Sequence, residues 1–107
     1  MQFLLIAYDA TDDHAHERRR LARPQHLSEG QQLIQEGHAL YGTAILNPAG
    51  QMIGSMLVLD FPTRTGLDTW LKTEPYIRDH VWEQITIQPC QVGAAFMPSH
   101  DPRKGIL

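Results

Sequence analysis

The order of strand-like and helix-like segments constrains the fold of this chain more than any other feature of its sequence. Short apolar or alternating runs flank two segments that carry helix start and stop signals. In chain order, the segments are strand 2–8, helix 14–36, strands 38–47 and 51–61, helix 63–72 and strand 81–92. This order predicts an α+β domain of the split βαβ, or ferredoxin-like, type. We expect a four-stranded antiparallel sheet in βαββαβ order, with two main helices on one face.

The limits of the first helix rest on local signals. The Thr-Asp-Asp sequence at 11–13 offers three residues that can cap its start, and Gly37 is suited to its end. Pro24 lies inside the segment and cannot donate the backbone hydrogen bond to the carbonyl of Arg20. We therefore expect a kink, or two abutting helices, at Pro24.

The later elements are bounded by turn residues. The Asn-Pro-Ala-Gly sequence at 47–50 has the composition and length of a hairpin turn. Thr63 or Thr65 can cap the second helix, which ends before Pro75 because the residue preceding a proline is pushed to extended geometry. A short turn of helix is expected at 76–80.

The strands carry three further signals. The last strand alternates, which places Trp82 on the face opposite to Ile85. Gly54, in the middle of the third strand, indicates a bulge or a close approach by another group. The first and third strands are apolar on both faces, although two helices can cover only one. We predict that the uncovered face packs against the same face of a second copy, giving a homodimer.

Composition excludes several functional classes. The 107 residues suffice for one domain, and 9 Lys and Arg against 12 Asp and Glu give a net charge of -3, which offers no broad positive field to nucleic acid. Cys90 is the single cysteine, so no intramolecular disulfide and no Cys-based zinc site can form. No run has the length of a membrane span or the pattern of a signal peptide. We expect a cytoplasmic protein that binds neither nucleic acid nor membranes.

The segment 19–27 places an imidazole where a small protein normally has core. At about 100° per residue, Arg19, Arg23, His26 and Gly30 lie on one helical stripe flanked by leucine and isoleucine. His26 therefore points towards the core or towards a cleft cut into it. Such a histidine either satisfies both ring nitrogens internally or lines a cavity that a ligand enters.

Three motifs carry a family resemblance. They are Arg-Arg-Leu-Ala-Arg-Pro-Gln-His-Leu at 19–27, Gly-Ser-Met-Leu-Val-Leu at 54–59 and Glu-Pro-Tyr at 74–76. With them the chain resembles the YciI-like, or YCII-related, family of small bacterial proteins over nearly all of residues 1–92. The resemblance implies a ferredoxin-like fold that pairs into a dimeric α/β barrel. We expect a domain at 1–93, followed by an irregular tail at 94–107.

The resemblance also implies a site. In that family the histidine of an Arg-Pro-x-His-Leu motif and the acid of an Asp-Pro-Tyr motif lie at an active-site cleft, and the matching residues here are His26 and Glu74. This chain has glutamate where the family has aspartate, so the carboxylate stands one methylene farther from the backbone. The resemblance supplies no substrate.

The chemistry of these residues suggests a cofactor-independent enzyme acting on a small, anionic molecule. His26 would act as general acid or base, while Glu74 would orient the imidazole and stabilise its cation. Isomerase, lyase and hydrolase-type reactions all fit, including lactone rearrangement, decarboxylation and dehydrohalogenation.

Four other residues are candidates for substrate binding. Arg19 or Arg23 could bind a carboxylate, Ser55 could donate a hydrogen bond from the sheet, and Tyr76 could close the cleft. Each has a structural alternative. The arginines could form a solvated helix face paired with neighbouring carboxylates, the serine could be a satisfied core hydroxyl, and the tyrosine could serve packing.

Two other functional classes stay open at this point. The chain could be a non-catalytic small-ligand-binding module that uses the same cleft, or a partner domain of a larger enzyme system. Phosphate-binding glycine loops, nucleophile elbows and Rossmann patterns are absent from the sequence, and we expect no cofactor. His14 and His16 form the only close histidine pair, which is a weak metal signal, and we expect no metal site.

Overall fold

The computed structural model describes residues 1–97, and its sheet has the predicted ferredoxin-like topology. In chain order, the elements are β1 (Gln2–Asp9), α1 (Ala15–Gln35), β2 (Ala39–Leu46), β3 (Met52–Asp60), α2 (Arg64–Leu71), α3 (Pro75–Arg78) and β4 (Trp82–Cys90). The strand order is β2-β3-β1-β4 with antiparallel neighbours throughout. The α+β prediction is therefore confirmed. The part of the expected irregular tail at 98–107 lies outside the described residues.

The start of α1 differs from its prediction. The N-cap is His14, and its side chain makes no capping hydrogen bond. Asp12 instead accepts a hydrogen bond from the His14 backbone N–H at 3.2 Å and forms a two-pronged ion pair with Arg18. The expected cap at 11–13 was wrong because the Asp12 carboxylate is engaged with the backbone of His14, two residues further on, and with Arg18.

Pro24 does not divide α1, which runs through it as one helix, so the expectation of two abutting helices was wrong. Side chains before and after the proline are tied to the rest of the fold, since Arg19 binds Asp9 and His26 binds Glu74. These contacts stabilise the helical backbone on both sides of the lost hydrogen bond. The helix ends as predicted at Gly37, which has a φ of 82°.

The core lies between the helices and one face of the sheet. Alternate residues of β1 are buried on this face, including Phe3 and Leu5, while the residues between them are more exposed. Leu59 of β3, Leu67 of α2 and Val81 complete the fully buried centre. Packing of both helical and strand side chains here fixes the position of α1 over the sheet.

The opposite face of the sheet is not covered by any element within residues 1–97. On this face Ile6 of β1 pairs with Met56 of β3, and Tyr8, near the end of β1, is 44% exposed. The register of β4 places Gln84, Thr86 and Gln88 beside these residues on the same face. The uncovered face is thus apolar along β1 and β3 and polar along β4.

A bulge in β4 turns Trp82 inwards. Tyr8 pairs with Gln84 whereas Asp9 pairs with Trp82, so Glu83 is an extra residue in the ladder. Trp82 consequently lies on the same side of the sheet as Ile85, and only 5% of it is exposed. The predicted placement of Trp82 opposite to Ile85 was wrong because simple alternation does not allow for an inserted residue.

Gly54 marks a close backbone approach between β3 and β1. A Cβ atom at this position would lie 2.5 Å from the carbonyl oxygen of Ala7. No real side chain tolerates that distance, so only glycine fits here without a shift of the sheet. The carbonyl of Gly54 also accepts a hydrogen bond from Arg19 at 3.1 Å, which places this point of β3 beneath α1.

Candidate active site

A pocket of about 810 Å³ lies between α1 and the β2 edge of the sheet. The four residues of the predicted helical stripe, Arg19, Arg23, His26 and Gly30, all line it. Its volume falls within the range of sites that hold small organic molecules. The stripe therefore faces a cleft rather than a closed core.

The loop between α2 and α3 places Glu74 beneath α1. Glu74 is the N-cap of α3, with Pro75 at the first helical position, and its Oε1 accepts a hydrogen bond from the Tyr76 backbone N–H at 3.2 Å. The same Oε1 lies 2.5 Å from Nδ1 of His26, and only 3% of the Glu74 side chain is exposed. The longer side chain of glutamate therefore still brings its carboxylate into contact with the histidine.

Two aromatic rings fix the plane of the His26 imidazole. The Tyr76 ring stacks on it with centroids 3.8 Å apart and planes 9° apart, and the Trp82 ring meets it edge-on at 6.0 Å. With Glu74 holding Nδ1, the neutral imidazole carries its proton on Nδ1 and its lone pair on Nε2. Nε2 has no hydrogen-bond partner among residues 1–97. The arrangement presents one oriented proton acceptor beside the pocket.

Arg19 is buried against Asp9 rather than solvated. Nη1 lies 2.8 and 2.9 Å from the two Asp9 carboxylate oxygens, and both side chains are 7% exposed. Nη2 donates to the Gly54 carbonyl and to the Ser55 hydroxyl, while Nε is buried without a partner in the described part of the chain. The solvated-face alternative was wrong for Arg19, and its terminal nitrogens are already engaged.

Burial raises the pKa of the Asp9 carboxyl, and the hydrogen bond and charge of Arg19 act in the opposite direction. The position of Asp9 follows from β1, because it continues the buried alternation of Phe3, Leu5 and Ala7. The odd-numbered positions of β1 all face inwards, and this alternation in the sequence could have identified Asp9 as an inward-facing carboxylate. The alternation does not indicate that Arg19 is the partner of Asp9.

Ser55 lies on the floor of the pocket and is 4% exposed. Its Oγ accepts hydrogen bonds from Arg19 Nη2 at 3.2 Å and from Trp82 Nε1 at 3.1 Å. The serine's own O–H has no acceptor within the described residues, so the hydroxyl is satisfied as an acceptor and free as a donor. Sequence reasoning missed Trp82 as part of this group because of the β4 bulge.

Arg23 and the Tyr76 hydroxyl are polar groups without a partner in residues 1–97. Arg23 is exposed and lines the pocket one helical turn before His26. The Tyr76 ring is 1% exposed, and the Arg19 guanidinium carbon lies 4.8 Å from its centroid. Burial raises the pKa of Tyr76, and the charges of Arg19 and Arg23 oppose this effect.

Neither a metal cluster nor a membrane span is evident in the described region. Within residues 1–97, no three His, Cys, Asp or Glu side chains are grouped closely enough to bind a metal ion. None of the helices in this part of the chain combines the length and the apolar character needed to cross a bilayer.

Comparison with known sequences identifies a family and two relatives that match over most of their length. The family model described as the YCII-related domain matches residues 1–91. The proteins named YciI from Escherichia coli and Shigella flexneri are each 29% identical to this chain over 97 residues. The match covers 83% of this chain and 95% of each relative.

Solved structures share the fold at low identity. A 5-chloro-2-hydroxyhydroquinone dehydrochlorinase from Burkholderia phenoliruptrix, in complex with 2,5-dihydroxybenzoquinone, is 16% identical with a TM-score of 0.74, covering 89% of this chain and 98% of that one. A protein described as an antibiotic biosynthesis monooxygenase is also 16% identical with a TM-score of 0.51, covering 85% and 98%. At this level of identity the likeness concerns the fold.

Proposed function

The chain belongs to the family of YCII-related domains, and we propose that it is a small-molecule enzyme in which His26 and Glu74 carry out general acid–base chemistry. The observation that carries this proposal is the 2.5 Å contact between Glu74 Oε1 and His26 Nδ1 at the wall of a large pocket. A buried carboxylate that orients one ring nitrogen leaves the other available to a substrate.

The proposed proton transfer uses Nε2 of His26. Nε2 takes a proton from the substrate, the resulting imidazolium is stabilised by the adjacent Glu74 carboxylate, and the proton then returns to the substrate or to its leaving group. The stacked Tyr76 ring holds the imidazole plane throughout, so little reorientation is needed between the two transfers. Isomerase and lyase reactions use such a step, whereas in a hydrolase-type reaction Nε2 takes the proton from the attacking water and passes it to the leaving group.

The remaining site residues are assigned to substrate binding and support. The Ser55 O–H donates to a substrate oxygen from the floor of the pocket, and the Tyr76 hydroxyl donates from its wall. Arg23 binds an anionic group of the substrate. Arg19 contributes through its fixed hydrogen bond to Ser55, because its terminal nitrogens are bound to neighbouring groups.

The test of this proposal is a turnover screen with small organic acids, lactones and halogenated phenols. The wild type is compared with His26→Gln and with Glu74→Gln, and His16→Gln, an exposed histidine on the same helix, serves as the matched control. We expect His26→Gln to lower the rate by about 10²- to 10⁴-fold, the usual contribution of a general acid or base. Equal rates in the wild type and His26→Gln would remove the imidazole from the mechanism.

The competing function is a non-catalytic binding module that uses the same pocket. The pocket volume and the free donors at Ser55 and Arg23 fit ligand binding as well as catalysis. Under this alternative, His26→Gln changes ligand affinity while no substrate is turned over by the wild type. The two functions are therefore distinguished by turnover and not by binding.

We also propose that the functional unit is a homodimer of the 1–93 domain, in which the uncovered sheet faces pack together and close a dimeric α/β barrel. The apolar side chains of Ile6 and Met56 on that face support this pairing. The arrangement buries the open face and leaves the pocket, which lies on the helical side of the sheet, accessible in both copies.

A further inference from the structure

The pocket beside His26 has two chemically different ends. From this division we propose that the ligand is an amphipathic organic acid, with one carboxylate bound by Arg23 and an alkyl or aryl body lying along β2 and β3. This inference rests on the proposed function, because it names the substrate class of the same site.

The polar end of the pocket is the end lined by Arg19, Arg23 and His26, and one of these side chains has no negatively charged partner. Among the side chains that line the pocket, Arg19 is neutralised by Asp9, and His26 is bound to Glu74. Arg23 has no counter-charge among residues 1–97. Its planar guanidinium matches the geometry of a carboxylate, and Arg23 lines the same pocket as His26, one helical turn before it.

The other end of the pocket offers hydrophobic contact. The helix contributes Leu33 and Ile34, β3 contributes Leu57, and α2 contributes the Trp70 ring. The segment 39–44 of β2 forms the opposite wall and carries no charged side chain. An alkyl or aryl group is stabilised on this surface by removal of its apolar area from water.

The same arrangement disfavours other ligand classes. A dianion such as a phosphate ester or a dicarboxylate places a second negative charge near Glu74, where no second free arginine compensates it. A polyol requires many hydrogen-bonding partners, and the wall formed by Leu33, Leu57 and Trp70 supplies few. A monoanion with an apolar body matches both ends of the pocket.

The two tryptophans of the chain provide a binding signal that does not depend on turnover. Trp70 lines the pocket, and Trp82 contacts the His26 ring edge-on. Intrinsic fluorescence is therefore titrated with butyrate, hexanoate, benzoate and phenylacetate, and with the methyl ester of each. We expect every acid to bind more tightly than its ester. We also expect affinity to rise with chain length, by up to about fourfold for each added methylene.

Variants of the helix test the role of Arg23. We expect Arg23→Gln to weaken acid binding by about tenfold or more while leaving ester binding unchanged, and Arg23→Lys to weaken it less. The matched control is Arg20→Gln, because Arg20 is an exposed arginine of the same helix that pairs with Glu17 and does not line the pocket. Circular dichroism confirms that each exposed substitution leaves the fold intact.

The outcomes separate this inference from the proposed enzyme function. Equal affinity for acids and esters, or acid binding unaffected by Arg23→Gln, overturns the substrate class even if a neutral compound is turned over through His26. Selective, Arg23-dependent binding of acids, together with no turnover of any compound in the screen of small organic acids, lactones and halogenated phenols, supports the substrate class and contradicts catalysis. Selective binding followed by turnover supports both.

Discussion

Glu74 Oε1 accepts two hydrogen bonds, one from its own helix through the Tyr76 backbone N–H and one from His26 on α1. The atom that caps α3 is therefore also the atom that orients the imidazole. Capping fixes the carboxylate before any ligand arrives, so the histidine meets a preorganised partner. The short helix and the candidate active site are consequently one structural unit.

The first prediction concerns the buried pair of Asp9 and Arg19. Asp9→Asn leaves an arginine buried without its counter-charge, and we expect the free energy of unfolding to fall by about 3–5 kcal/mol. Arg19→Met should cost less at neutral pH, because the isolated Asp9 can take up a proton, which burial already favours. Urea denaturation measures both values.

The control for this prediction is the pair of Asp12 and Arg18, whose side chains are 50% and 29% exposed. Asp12→Asn should change stability little, since water screens an exposed pair. A greater loss in Arg19→Met than in Asp9→Asn would show that the arginine does more than neutralise the carboxylate.

The second prediction compares two glycines. Gly54→Ala places a Cβ 2.5 Å from the Ala7 carbonyl oxygen, so we expect a loss of at least about 1–3 kcal/mol in the free energy of unfolding. Gly30 lies inside α1, and a Cβ added there would have no atom within 4 Å. Because alanine favours the helical backbone more than glycine does, Gly30→Ala should raise the free energy of unfolding by about 0.5–1 kcal/mol. Thermal unfolding that ranks the two variants in the opposite order would contradict the described register of β1 and β3.

The third prediction concerns pH. Because burial raises the pKa of Tyr76, the folded protein holds this proton more tightly than the unfolded chain does. The stability associated with the neutral phenol is complete below the ordinary tyrosine pKa of about 10 and is lost as pH rises through the folded value. Tyr76→Phe should remove this alkaline loss.

Ultraviolet absorbance of tyrosinate measures the same titration directly. The step that is present in the wild type and missing in Tyr76→Phe should have its midpoint above pH 10. If the step that Tyr76→Phe removes has its midpoint at or below pH 10, the Tyr76 hydroxyl is better solvated than the structure indicates.

The fourth prediction tests association through the uncovered sheet face. We expect light scattering at micromolar concentration to give twice the monomer mass for the wild type. Ile6→Lys, which places a charge on that face, should give the monomer mass, while Thr69→Lys, an exposed change on α2, should not. A wild-type monomer, or an Ile6→Lys dimer, would refute pairing through this face.

Local patterns predicted more of the fold than of the site. Periodicity and capping signals were sufficient for the order of elements and for the stripe that brings His26 to the pocket. The partner of His26 came from the family motif at 74–76, because contact between residues 48 apart has no periodic signal. The pairing of Arg19 with Asp9 likewise had no local sequence signal, because the two residues lie on different elements, α1 and β1.

Two expectations that the structure contradicts, two abutting helices at Pro24 and Trp82 on the face opposite to Ile85, show the same limit of local rules. A proline normally interrupts a helix, yet at Pro24 the tertiary contacts of Arg19 and His26 maintain the helix on both sides. The bulge at Glu83 moved Trp82 to the face that it shares with Ser55, and no feature of the alternation indicates an inserted residue. In both cases contacts between distant segments outweighed local preference.

The most direct test of the account is the tautomer of His26, measured by long-range ¹H–¹⁵N correlation at a pH where the ring is neutral. We predict a proton on Nδ1, bonded to Glu74, and a bare Nε2 whose resonance shifts when a carboxylic acid ligand is added. The Nδ1 preference should weaken in Glu74→Gln. A proton found on Nε2 in the wild type would contradict the proposed orientation and leave the pocket without its base.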